Sequence, residues 1–261
     1  CQLGHWRGWS IFLDPRPATL EEQVTATSCP DAAPAYRVHL ARERFIVMDD
    51  SFVPSEGYNY APGVGGNCSA EGVEAMLMDR RMNDEDPLNR IDEQVDFLVD
   101  QLKLVQSLSK DSDARPNILL SHRPLFAVTC RNGDLVQHDW TMQEAFERVP
   151  DALSDVMLVI GGHLRFFELL KFAEDEDNKL PAQLVVGNTN PRVAKVGVPQ
   201  GEIGGAGMTK VLGHKVVRGS AVNHYGFATL SSTGESLNIR AMRIPRSEAP
   251  KAFFRATLLR Q

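Results

Sequence analysis

The apolar positions of this chain change rhythm along its length. In the middle, short apolar runs stop abruptly at turn-forming or histidine residues: Asn117-Ile-Leu-Leu-Ser-His122-Arg-Pro124, then a run over 155–160 closing at Gly161-Gly-His163, then Gln183-Leu-Val-Val186 closing at Gly187-Asn188-Thr189-Asn190. Runs of this kind read as buried strands whose C-terminal ends open into tight turns, where open α/β sheets place ligand-handling residues. Before the first run, Ile91, Val95, Leu98, Leu102, Val105 and Leu108 recur at three- and four-residue spacing, which predicts an amphipathic helix over 90–109. A second helix is expected over 141–149, beginning at Thr141. Upstream, YRVHLARERFIVM at 36–48 holds two short strands with a polar turn between them. Past a Gly-rich loop at 201–207, the segments near 215–218, 223–231, 236–244 and 252–259 alternate as strands with no helix between them. Helices interleaved with strands, then strands alone, predict a layered α/β fold with an antiparallel C-terminal part, in one domain over 1–261.

Composition narrows the partners. The 261 residues carry a net charge of -6 and are 43% hydrophobic, enough for one substantial core. The absence of a dense Lys/Arg run argues against a nucleic-acid partner or an anionic membrane surface. No stretch approaches the ~20 apolar residues that span a bilayer. Four cysteines, Cys1, Cys29, Cys68 and Cys130, form no CxxC pair. The PGVGGN segment inside the polar excursion 54–89 lacks the Lys-Ser/Thr of a phosphate-binding loop, and neither a G-x-S-x-G elbow nor an HExxH pattern occurs.

The candidate chemistry sits at the strand ends. His122 and His163 occupy matched positions, and a neutral imidazole on a rigid strand end is a common ligand for zinc, iron or manganese. The competing assignment for each is an ordinary hydrogen-bonded histidine, which is also the reading for His5, His39, His138, His214 and His224. Arg165, two residues past His163, either clamps a phosphate with its forked guanidinium or pairs with nearby acids at the surface. Asp49-Asp50-Ser51 ends the strand before the excursion. Its carboxylates can bind metal, but the simpler assignment is a turn or helix N-cap through Asp50 or Ser51.

These residues also carry a resemblance. SHRPLF at 121–126 is similar to the lone-His block of the calcineurin-like metallophosphoesterases, and GGHLRFFELLKF at 161–172 is similar to their G-H-x-H block. That superfamily is recognised by D-x-H, G-D, G-N-H-E/D, the lone His and G-H-x-H, in this order. The opening of the chain, with Cys1, Gly8-Trp9, Phe12-Leu-Asp-Pro-Arg-Pro17, Cys29 and Tyr36-Arg-Val38, resembles the text after G-N-H-E/D in bacterial members.

The resemblance implies an α/β/β/α sandwich with a mixed sheet, incomplete at its N-terminus, that hydrolyses phosphate esters with two divalent metals (Fe, Mn or Zn). His122 and His163 match ligands of the second metal. Arg165 stands where a His ligand of the first is expected, as a possible phosphate contact instead. With the first three blocks absent, the chain is expected to be an N-terminally truncated piece that binds at most one metal weakly and is inactive alone, with an open sheet edge. The alternative is a non-catalytic binding or scaffold protein that kept the fold. The same resemblance favours export over the cytoplasm, and in that compartment Cys1 can pair with Cys29.

Overall fold

The computed structural model describes residues 35–39, 43–48, 50, 60–63, 85–110, 115–131, 134–138, 140–162, 164, 166–173, 180–186, 201–203, 210–211, 214–222, 225–233, 236–245 and 249–259. Cys1, Cys29 and the N-terminal loop therefore lie outside the described residues, as does most of the excursion 54–89. The chain forms β1 (Tyr36–His39), β2 (Arg44–Val47), β3 (Tyr60–Gly63), helix α1 (Glu85–Ser109), β4 (Asn117–Leu120), β5 (Val128–Arg131) and β6 (Asp134–His138). It continues through helix α2 (Trp140–Arg148), a 3-10 turn (Pro150–Leu153), β7 (Val156–Gly161), β8 (Phe167–Phe172) and β9 (Ala182–Val186). The last strands are β10 (Gly201–Ile203), β11 (Lys210–Val211), β12 (His214–Val222), β13 (Gly226–Ser232), β14 (Ser236–Arg243) and β15 (Lys251–Leu259).

Among the described residues a nine-stranded sheet runs in the order β1-β2-β4-β7-β9-β8-β12-β10, with β11 pairing β12. Its centre, β2-β4-β7-β9, is parallel. β1, β8, β12 and β10 add antiparallel to it. A parallel centre must be covered on both faces, because its strands carry apolar side chains up and down. Successive residues show this. Leu119, Val159 and Val185 join a core with Val95, Leu98, Leu102 and Val105 of α1 and Phe146 of α2. Their neighbours Ile118, Leu158 and Leu184 join a second core with Leu237, Ile239 and Leu258 of the antiparallel sheet β13-β14-β15. Each fully buried Leu, Ile or Val of this kind contributes about 1.5–3 kcal/mol. The layers among the described residues are thus helix, mixed sheet and antiparallel sheet, and the mixed α/β architecture with an antiparallel C-terminal part is as expected. The outer helical layer of an α/β/β/α sandwich is not among the described residues.

Two features depart from the sequence reading. Phe167–Phe172, expected only as the continuation of a motif, is a strand buried on both faces between β9 and β12. The segment 128–138 forms the hairpin β5-β6, to which β3 adds from within the excursion. Asn132-Gly133 between β5 and β6 is a hairpin-turn dipeptide, and it was the available signal.

Candidate functional site

Four neighbouring parallel strands bring their C-terminal ends to one edge of the sheet. After β2 comes Asp50, after β4 come Ser121, His122 and Arg123, and after β7 comes Gly162. The ladder extends past the strands themselves. Met48 N–H donates to Leu120 O at 2.9 Å, Ser121 N–H to Ile160 O at 3.0 Å, and Gly162 N–H to His122 O at 3.0 Å. The turn after β7 is therefore bonded directly to the residue that carries the first histidine. Gly161 makes this approach possible. A Cβ at that position would lie 2.8 Å from both the Cα and the N of Pro124, which are backbone atoms that cannot move aside cheaply.

His122 is exposed at this edge. His163 and Arg165 lie outside the described residues, while their neighbours Gly162 and Leu164 are described. Leu164 is buried, and its N–H donates to Gly162 O at 2.6 Å.

Asp50 holds the turn that follows β4. It is fully buried. Its Oδ1 accepts His122 N–H at 2.8 Å, and its Oδ2 accepts Arg123 N–H at 2.6 Å and the Ser121 hydroxyl at 2.7 Å. The physical reason is topological: β2 and β4 are parallel neighbours, so the residue leaving one strand meets the turn leaving the other. Burial pushes the Asp50 carboxyl up to about 7, against the pull of Ser121, of the Arg123 and His122 amides and of the Arg123 charge. The Ser121 hydroxyl also reaches Arg123 O.

Further along the same turn, Gln183 of β9 uses its Oε1 to accept Leu125 N–H at 3.0 Å and Phe126 N–H at 3.3 Å. Its amide donates to Val159 O at 3.3 Å and Leu184 O at 3.1 Å. Glu168 of β8 accepts Val128 N–H at 3.0 Å through Oε1, while its buried Oε2 has no hydrogen-bond partner among the described residues. Burial raises the Glu168 carboxyl well above its ordinary value, opposed by that one amide. Sequence reasoning passed over Gln183 and Glu168. A lone polar residue inside an apolar run, as in Ala182-Gln-Leu-Val and Phe167-Glu-Leu-Leu, was the signal, because such a group is kept in a core only when something bonds it.

The described residues do not assemble a metal centre. Among them no group of three or more His, Cys, Asp or Glu side chains is placed to hold an ion. Asp50 has both oxygens bonded to the amides of the turn, one to His122 and the other to Arg123. No helix among the described residues is long and apolar enough to cross a membrane.

The sequence matches no protein-family model and no curated protein. Three solved structures are similar in shape. GAP50, the anchor in the inner membrane complex of Plasmodium, is 15% identical over 87% of this chain and 53% of that one, with a TM-score of 0.41. Purple acid phosphatase PPD1 from yellow lupin (Lupinus luteus) seeds is 14% identical over 86% of this chain and 32% of its own, with a TM-score of 0.41. PhoD is 11% identical over 94% of this chain and 49% of its own, with a TM-score of 0.48. The chain thus spans between about a third and a little over half of these proteins.

Proposed function

We propose that this chain belongs to a metal-dependent phosphoric-ester hydrolase of the calcineurin-like metallophosphoesterase type, with its ligand site at the edge where β4 and β7 end. The reading is supported by the two motif-like turns, SHRPLF and GGHLRF, and by one observation above all. The hydrogen bond from Gly162 N–H to His122 O joins those turns, so His122 and Gly162 belong to one small region. In this reading His122 and His163 hold a single divalent ion, Fe, Mn or Zn. Arg165 contacts the phosphoryl group of the ester, since a forked guanidinium suits a tetrahedral oxyanion.

The chain by itself is expected to be inactive. A two-metal hydrolytic centre needs bridging carboxylates, and Asp50, the buried acid at this edge, is committed to the turn. Incubating the 261-residue chain with p-nitrophenyl phosphate and Mn, Fe or Zn is expected to give no turnover; turnover abolished by His163→Ala would overturn this part of the proposal. Calorimetric titration with Mn²⁺ is expected to show one equivalent bound, lost in both His122→Ala and His163→Ala. Orthophosphate binding to the Mn-loaded chain is then expected to be lost in Arg165→Ala. Metal binding indifferent to both histidines would sink the assignment.

A further inference from the structure

The chain leaves β4 at Ser121 and enters no other element until β5, yet Arg123, Leu125, Phe126 and Ala127 on the way are buried. Irregular backbone inside a core must find acceptors for its N–H groups, and each one left without costs about 1–3 kcal/mol. Here the amides of His122, Arg123, Leu125, Phe126 and Val128 all end on side-chain oxygens. Three residues supply them: Asp50 after β2, Gln183 on β9 and Glu168 on β8. β4 lies between β2 and β7 in the sheet, and β9 and β8 lie beyond β7, so the acceptors reach the segment from both sides. Phe126 adds an apolar anchor, with its ring edge-on to Phe146 of α2 at 5.5 Å and to Phe172 of β8 at 5.6 Å. Pro124 is pressed against Gly161.

A surface turn does not require this much buried polar machinery. What emerges from it at the surface is the exposed side chain of His122. We infer that Asp50, Gln183 and Glu168 form a buried clasp that holds the His122 turn in one geometry, with Asp50 and Gln183 as positioning residues for the ligand that His122 engages. The inference rests on the proposed role of His122 as a ligand. It deepens that role by naming residues that act through His122 without touching the ligand. A support of this kind lowers the ordering cost of binding, because the imidazole is already placed before the ligand arrives.

Hydrogen exchange on the full 261-residue chain reads the clasp directly. The amides of His122, Arg123, Leu125, Phe126 and Val128 are expected to be protected to within roughly tenfold of the β4 ladder amides, although most of them lie outside any strand. Exchange at the rate of an exposed loop would overturn the inference. In Asp50→Asn the His122 and Arg123 amides are expected to exchange roughly a hundredfold faster, while the Leu158 and Val159 amides of β7 stay as they were. The His122 imidazole resonances, single and sharp in the wild type, should broaden or split in that variant, a signature that a general loss of stability would not confine to one ring. Unchanged exchange and unchanged ring signals would also overturn the inference. If Asp50→Asn does not fold, the wild-type exchange pattern decides. A Mn²⁺ titration that ignores His122→Ala would remove the metal reading while leaving the exchange result to judge the clasp by itself.

Discussion

Gln183, Asp50 and Glu168 do the same job with different chemistry, and the differences are measurable. Gln183 is neutral, and its carbonyl accepts two bonds while its amide donates two. Glu168 accepts one, and its second oxygen is buried with no hydrogen-bond partner among the described residues. An ionised carboxylate in that position is poorly compensated, so the folded state keeps the proton and the carboxyl sits well above its ordinary 4.5. The sign of the pH effect follows. Below about 4.5 the group is protonated whether the chain is folded or not, and its contribution to stability is fully present. As pH rises, the unfolded chain releases the proton while the folded chain holds it, so that contribution is lost progressively up to the folded-state pKa. Glu168→Gln keeps the shape and removes the titration. Wild type and variant are expected to have similar urea midpoints near pH 4, with the variant gaining on the wild type as pH increases to 8. A constant difference across that range would show that Glu168 does not hold its proton in the folded state.

At the level of elements, the decisive contact is where two strand ends touch. Gly161 closes β7, and its missing side chain is the space that Pro124 of the preceding turn occupies. Gly161→Ala is expected to cost about 1–3 kcal/mol by overpacking, since the clash is with backbone rather than with a flexible tip. The same change should lengthen or break the bond from Gly162 N–H to His122 O. Urea unfolding and the exchange rate of the Gly162 amide check the two effects, and a variant as stable as wild type with that amide still protected would contradict the account.

The elements themselves were largely legible, because hydrophobic period is a local property. Val95, Leu98, Leu102 and Val105 announced α1, and the runs ending at His122 and at Gly161-Gly162 announced β4 and β7. The support beneath His122 was not. Asp50, Gln183 and Glu168 lie 72, 58 and 40 residues from the amides of His122, Leu125 and Val128 that they bond. Pairings at that distance are set by the order of strands in the sheet, which no short window of sequence encodes. Asp50 was noticed at its strand end, but for this reason its bonds to the His122 and Arg123 amides were not legible there.

At the scale of the molecule, the buried side chains among the described residues form two clusters on the two faces of the central sheet. Ile46 of β2 is fully buried in the core shared with the helices, and Ile239 of β14 is fully buried in the core beneath the antiparallel sheet. Ile46→Val and Ile239→Val each remove one buried methylene and are expected to cost about 0.5–1.5 kcal/mol. The two side chains belong to different clusters, so their effects should add to within about 0.5 kcal/mol in the double variant, with one unfolding transition and an unchanged denaturant slope. Equal costs do not mean equal consequences for the site. β2 leads through Met48, which is bonded to Leu120, to Asp50 and the His122 turn, whereas β14 makes no ladder with the strands that carry the turn. Loosening β2 should therefore raise exchange at the His122 and Arg123 amides beyond what the lost stability accounts for, while Ile239→Val should leave their rates relative to β7 unchanged. Equal acceleration by both variants would mean that the edge responds to global stability alone, and that the turn is held no more firmly by its own side of the sheet than by the other.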